Sequence, residues 1–380
     1  MDAPKFIYIC RNFDLSNGNS RLVWELALRA KATGRNVGIV AHRIGFLPIF
    51  EGIEFIRVGQ LPKLFGPFRA RSFAWLSSRR AREAAAGGLV HGFGDSYRQD
   101  ILTLGNTDWT YGRRIPGRKP SASAVHIKSV ALKNNSATYI TVVSEQMRRD
   151  VMESFPNLSP ERVRVIYPGA DIGRFHPSRK PALRDKWHRE RGIPKNARWV
   201  VFAAGGDFEK RNFKTLVQAL ERLDADRRAS CDWVFLVAGS KEQDLPLPPA
   251  VKKRSFFIGR MNDLSELFPA CDLMVYPAWH DEFALVCLEA MASGVPVLLS
   301  KQTGASEILP HELSRFCVLE NPGDPRALTA KIGEWLNGRG DQTRELFRKA
   351  AEGYDWERFY GAYAELYAEI GARRGLSWSL

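Results

Sequence analysis

The 380-residue chain has no run of about 18 apolar residues, so no segment reads as a membrane-spanning helix. Its opening residues, MDAPKFIYICRN, carry a short apolar patch with no basic stretch before it, which is not the pattern of a secretory signal. Nothing repeats and no tract is of low complexity. Cysteine is scarce and scattered. Cys10, Cys231, Cys271, Cys287 and Cys317 form no Cys-x-x-Cys pair, and four of the five sit in apolar segments. That usage fits small buried thiols in a reducing compartment, and the cytoplasm is the expectation. Acidic residues are short in one half only. Residues 1–175 hold 26 Lys and Arg against 14 Asp and Glu, whereas the rest holds 30 against 28. A one-sided positive field suggests an anionic partner: nucleic acid, an anionic membrane surface or a polyanionic substrate.

What is present is ordinary globular composition, 44% hydrophobic and 26% charged, in a chain long enough for two domains. KFIYIC, the polar loop FDLSNGNS, RLVWELALRAKATGR and NVGIVAH read as strand, loop, helix and strand. Further strands are expected at GIEFIRV, GGLVHGF, DILTLGN, ATYITVVS and VRVIYPG. The rhythm restarts with RWVVFAAGG, the helix NFKTLVQALERL, DWVFLVAG and SFFIGR, and continues through a helix DLSELFPAC, the strand DLMVYPA, the helix ALVCLEAMAS and the strand VPVLLS. Alternating strands and helices, twice over, predict two doubly wound α/β domains, 1–175 and 176–353, with a charged, proline-bearing boundary over 174–197. In such sheets ligands bind at the carboxyl ends of the strands, so the loops after strands carry the chemistry, and facing domains put the site in the cleft between them.

The stretch HDEFALVCLEAMASGVPVLLS contains a helix that is apolar nearly all round, with Glu289 in its middle. Such a helix is buried, and an ionised carboxylate there is costly unless something polar reaches it. Two readings stand: a buried ion pair, or a carboxylate that accepts hydrogen bonds from vicinal hydroxyls such as those of a ribose. Gly294 and Pro296 mark the helix end. The backbone N–H groups of Phe283, Ala284, Leu285 and Val286 at its start suit an anion such as phosphate. Asp281 and Glu282 could simply favour the helix dipole. The loop AAGGDFEKRNFKTL places Gly205 and Gly206 after a strand and Lys210 and Arg211 before a helix, which suits a diphosphate or, equally, a solvated loop tip. SNGNSR, with Gly18 and Arg21, has neither GxGxxG nor GxxxxGK[ST] spacing and is a phosphate loop or an Asn-rich turn. His91 follows a strand as a site residue or a structural one; His126 and Asn106 carry weaker signals. His280, Asp281 and Glu282 are consecutive and point different ways, so no metal site is expected.

Basic residues interleave with aromatics in residues 63–83 (KLFGPFRARSFAWLSSRRARE) and cluster again in residues 113–119. That composition suits docking on an anionic bilayer, a plain solvated face, or nucleic acid.

The arrangement resembles the retaining glycosyltransferases of family 4, which have the GT-B fold, and within them the lipopolysaccharide core glucosyltransferases. The strongest part is residues 256–309, with two acids seven residues apart, Asp281 and Glu289, and the run AMASGVPV. ITVVSEQMRRDV and VRVIYPGADIGRFHP match as well. Where the family has a Glu, this chain has Asp281; where it has glycines beside the Phe, it has Glu282 and Ala284. The resemblance implies two Rossmann-like domains, an acceptor domain and a donor domain, and a last helix of about 354–375 that returns to the first. It implies transfer of a hexose from a nucleotide-sugar, UDP-linked, to a hydroxyl of a glycolipid or glycan, with retention, no cofactor and no metal. Lys210 and Arg211 would neutralise the diphosphate, Glu289 would hold the ribose, Asp281 would position the sugar, and Gly206, Gly239 and Arg260 would line the donor site. Gly18, Arg21 and His91 would serve the acceptor side. The partners expected are donor, acceptor and the inner face of the cytoplasmic membrane, not nucleic acid. A sugar-nucleotide epimerase of the same fold is the alternative, and a basic nucleic-acid-binding protein a remoter one.

Overall fold

A computed structural model describes residues 5–15, 17–45, 52–134, 136–226, 229–240 and 245–376. Ser16 of the SNGNSR loop lies outside the described residues. The chain divides into two compact units, Met1–Pro168 with Trp356–Leu380, and Gly169–Asp355.

In the first unit, strands β1 (Lys5–Ile9), β2 (Asn36–Ala41), β3 (Ile53–Arg57), β4 (Leu89–Gly92), β5 (Ile101–Leu104), β6 (Tyr139–Val142) and β7 (Val163–Val165) form one parallel sheet in the order β3-β2-β1-β4-β5-β6-β7. The longer helices are α1 (Gly18–Ala32), α2 (Phe68–Ala85), α3 (Ala122–Lys133) and α4 (Glu145–Ser154). Central strands buried on both faces need continuous apolar sequence. Accordingly Phe6, Ile7, Tyr8 and Ile9 are all buried, and Ile7, Ile9, Val40 and Val90 pack with Phe73 and Ala81 of α2.

The second unit repeats the design. Strands β8 (Arg198–Ala203), β9 (Trp233–Ala238), β10 (Ser255–Gly259), β11 (Leu273–Tyr276), β12 (Val297–Ser300) and β13 (Val318–Leu319) lie parallel in the order β10-β9-β8-β11-β12-β13. Its longer helices are α5 (Lys180–Arg191), α6 (Phe213–Ala225), α7 (Leu285–Ala292), α8 (His311–Cys317), α9 (Pro325–Glu334) and α10 (Gly340–Glu352). Each sheet places its first strand between its second and its fourth, the Rossmann order. Strand order therefore reverses between β1 and β4, and between β8 and β11, and the crevice at such a reversal is where ligands bind. The two doubly wound α/β domains expected from the sequence are present.

The passage between units falls at Pro168–Gly169, earlier than the expected 175/176. Residues just past the last strand belong to the second unit because their backbone is held there. Ala170 N donates to the Tyr354 carbonyl, and Arg348 Nη1 donates to the carbonyls of Ile172 and Phe175 at 3.0 and 2.6 Å. The helix expected at DLSELFPAC is instead two single turns, Leu264–Glu266 and Phe268–Ala270. Pro269 lacks the N–H that a continuous helix would need. The C-terminal helix, Trp356–Arg373, is part of the first unit.

Candidate functional site

Two loops leave the second sheet at its reversal point, one after β8 and one after β11. The first, residues 204–212, turns through Gly206, Asp207 and Asn212, whose φ angles are 128°, 52° and 55°. Left-handed backbone at a non-glycine residue costs about 1–2 kcal/mol, and such residues gather where a site fixes the chain. The Asp207 carboxylate accepts from Lys210 N, and Asn212 Nδ2 donates to the Pro322 carbonyl at 2.6 Å. The second loop, residues 277–284, is pinned on both sides. Trp279 N donates to the Lys210 carbonyl, Asp281 N to that of Gln302, and Gly304 N to that of Asp281.

Charge meets across these loops. Lys210 Nζ lies 2.8 Å from Glu282 Oε2, with both side chains buried. Arg211 Nη2 lies 3.2 Å from Asp281 Oδ2, and its Nε donates to the Tyr276 hydroxyl, which donates in turn to Asp281 at 2.9 Å. Burial pushes the Glu282 carboxyl up, but Lys210 and His280 outweigh it and hold the group well below the usual carboxylate range. Burial pushes the Tyr276 phenol well up, so it stays a neutral donor. Burial opposes the Arg211 charge, yet Tyr276 and Asp281 more than restore it. Arg211 keeps 22% of its side chain exposed against 6% for Lys210, so it is the more accessible cation.

Helix α7 starts at this loop. Ala284, just before it, has φ 68°, a backbone that favours glycine. The helix ends in a Schellman turn: Val295 N donates to the Ala290 carbonyl, Gly294 N donates to that of Met291, and Gly294 sits at φ 66°. Glu289 is buried in its second turn. The Cys287 thiol, raised first by burial, is raised further by the carboxylates of Asp281 and Glu289. Both acids therefore lie near one buried side chain. A crevice with two cations, a helix start and a carboxylate one turn on can take an anion and a neighbouring diol.

Residues 184–354 match the family model described as glycosyl transferases group 1. This part of the chain is similar to a group 1 glycosyltransferase domain. An uncharacterized glycosyltransferase of Methanocaldococcus jannaschii is 25% identical over 246 residues, 62% of this chain and 61% of that protein. The lipopolysaccharide glucosyltransferase WaaG of Escherichia coli is 28% identical over 176 residues, 45% of this chain and 46% of its own length. These alignments span less than two thirds of either relative. The fold extends further. The crystal structure of WaaG, a glycosyltransferase involved in lipopolysaccharide biosynthesis, superposes with TM-score 0.79 at 18% identity, over 95% of this chain and 99% of that one. The Anabaena protein HepE, solved in complex with UDP-glucose, gives 0.71 at 18% identity over 96% and 99%. The fold is GT-B, and the resemblance read from residues 256–309 is borne out.

Within residues 184–354 the structure brings Lys210, Arg211 and Asp281 together, and Phe283, Ala284 and the buried Glu289 follow along the same loop and helix, with Leu285 and Val286 half-buried at the helix start. Gly239 follows β9, and a Cβ there would fall 1.7 Å from the Ala204 carbonyl oxygen, so close backbone approach alone requires glycine. Arg260 is an exposed residue following β10. Tyr276 and Glu282 also belong to this cluster of charges; the sequence offered Glu282 only as an acid beside a helix start, and for Tyr276 the one signal was its place at the end of the fourth strand.

In the first unit, Gly18 opens α1, capped by the Asn17 side chain, and Arg21 pairs with Glu25 at 2.8 Å. SNGNSR is thus a helix-capping turn. His91 is engaged inside the first unit. It is fully buried, its Nδ1 is 3.0 Å from the Tyr367 hydroxyl and its Nε2 2.6 Å from Thr103 Oγ1, and its ring stacks on Phe93. Burial lowers its pKa to about 3, so it is neutral. The ring ties the C-terminal helix to the sheet and has no nitrogen left to offer a substrate. Asn106 bonds the Lys128 ammonium, and His126 packs edge-on against Tyr97. Among the described residues no three His, Cys, Asp or Glu are grouped to hold a metal, and no helix is long and apolar enough to cross a membrane.

Proposed function

We propose that the chain is a retaining, metal-independent glycosyltransferase that moves a hexose from a UDP-sugar to a hydroxyl of a glycolipid or glycan of the cell envelope, lipopolysaccharide core being the type. The observation that carries this reading is the pairing of Lys210 with Glu282 and Arg211 with Asp281 at the reversal point of the donor-side sheet. When the anomeric C–O bond breaks, its electron pair leaves with the nucleoside diphosphate, and that developing charge needs fixed cations in a partly dry site. Lys210, Arg211 and the amides of residues 283–286 supply them. Asp281, held by Tyr276 and Arg211, orients the donor sugar. Glu289 accepts from the ribose hydroxyls. Gly206, and Arg260 beyond β10, flank the nucleotide. Gly18 and Arg21 are the residues proposed for the acceptor, whose hydroxyl oxygen takes the place of the diphosphate on the anomeric carbon as its proton passes to the departing diphosphate. HepE was solved with UDP-glucose, which supports a uridine donor. The enzyme works in the cytoplasm, peripherally at the membrane that carries its acceptor.

The test is incubation with UDP-, GDP- and ADP-sugars in the absence of acceptor. Slow release of a single nucleotide supports the transferase. Interconversion of sugars would make the protein an epimerase, and failure to bind any nucleotide would sink both readings.

A further inference from the structure

Among the described residues, every exposed large apolar side chain except Leu346 falls between Leu61 and Leu76. Leu64 is 81% exposed, Trp75 60% and Phe68 58%. Monomeric proteins seldom leave neighbouring apolar groups of this size uncovered. Helix α2 explains half of the placement. Phe73, Ala74, Ser77 and Ala81 face inward, which leaves Phe68, Trp75 and Arg79, spaced at seven and four, on the outer face. Two hydrogen bonds explain the rest. Leu61 N donates to Ser72 Oγ at 3.0 Å, and Arg69 Nε donates to the Leu61 carbonyl at 3.3 Å. They hold the single turn Lys63–Phe65 against the start of α2, so turn and helix face make one surface.

The charge of that surface has one sign. Lys63, Arg69 and Arg71 surround its apolar end, and the Arg71 guanidinium lies over the Phe68 ring at 5.4 Å. Glu83 is the only acid in residues 61–83, and it sits at the far end beside Arg79 and Arg80. We propose that the turn Lys63–Phe65 and the outer face of α2 insert their apolar side chains into the interfacial layer of an anionic lipid bilayer. A second copy of this chain would bring like charges together in a self-complementary contact. An anionic bilayer accepts both the apolar centre and the cationic rim. The other basic cluster is built differently: Arg113 lies near Asp150 and Glu153, Arg114 pairs with Asp150, and no large apolar side chain is exposed there. Of the two segments that composition nominated for the membrane, 63–83 and 113–119, the first carries the docking surface, with Leu61 beside it.

This deepens the reading of a glycolipid acceptor, but its test is independent of turnover. The full chain is sedimented with vesicles of phosphatidylcholine alone and of phosphatidylcholine mixed with phosphatidylglycerol. Binding to the mixed vesicles is expected, weakening with salt. Leu64→Ser with Phe68→Ser and Trp75→Ser should lower partitioning about tenfold or more. Lys63→Gln with Arg71→Gln should lower it about fivefold per charge at low salt. Arg118→Gln with Lys119→Gln should leave it unchanged. Thermal melting and nucleotide binding confirm that each variant is folded. The proposal is overturned if the triple variant partitions like the parent, if anionic lipid makes no difference, or if the parent is a dimer that the triple variant dissociates. Should vesicle binding fail while nucleotide release persists, only this inference falls.

Discussion

Strand β11 has a cluster of charges around buried acid at each end, and the two differ in what they leave available. At its amino end, Asp272 is surrounded by four cations, with Lys180 at 2.5 Å, Arg344 at 3.6 Å, Arg198 at 3.7 Å and Arg184 in direct contact; it also accepts from Trp199 N at 2.8 Å. One acid there joins α5, α10 and β8, and its oxygens are used up. At the carboxyl end, two acids meet two cations pair by pair, on loops strained at Asp207, Asn212 and Ala284. Cation excess around one acid fastens elements together. Balanced pairs in a crevice can be exchanged for the charge of an incoming diphosphate. Position on the strand tells them apart before any pairing is known, because ligands gather at carboxyl ends.

The sharpest way to break the comparison is to neutralise the structural end. Asp272→Asn removes the one buried carboxylate that four half-buried cations share and should cost about 3 kcal/mol in chemical denaturation, with nucleotide affinity of the folded fraction unchanged. Arg211→Met should do the reverse, lowering donor turnover about 100- to 1000-fold with a small change in melting temperature. Glu289→Ala should follow with a loss of about 2–3 kcal/mol in transition-state binding, read as kcat/KM, in a protein that stays folded. Near-parent turnover would remove its ribose role.

Acid sharpens the contrast further. Burial raises both Asp272 and Glu282, but their cations overcome it and hold each below its ordinary value of 3.8 or 4.5. Such depressed carboxyls stabilise the fold above those values, and the benefit is lost as pH falls through the folded-state titration. The stability gap between parent and Asp272→Asn should therefore narrow in acid melts below about pH 4. The smallest effect is expected at Ala284, where glycine relieves a left-handed backbone: Ala284→Gly should raise stability by about 1 kcal/mol in the same denaturation assay.

Much of this was legible in the residues. Continuous apolar runs marked the strands, Gly294 and Pro296 marked the end of α7, and Glu289 stood out because a charge does not belong in an apolar helix. The pairing of Lys210 with Glu282 was not legible, because 72 residues separate them and only the parallel crossover joins their loops. His91 misled because the end of a strand looks the same whether solvent or a C-terminal helix covers it. Residues 63–83 showed their composition but not their face; the inward turn of Phe73 and outward turn of Trp75 follow from packing.

The central claim is that the loops after β8 and β11 form the nucleoside diphosphate site. Calorimetric titration of UDP into the parent chain and into Arg211→Met tests it most directly. The account predicts saturable binding by the parent, weakened about tenfold or more in the variant. Equal binding by both proteins, or none by the parent with UDP, GDP or ADP, would contradict it.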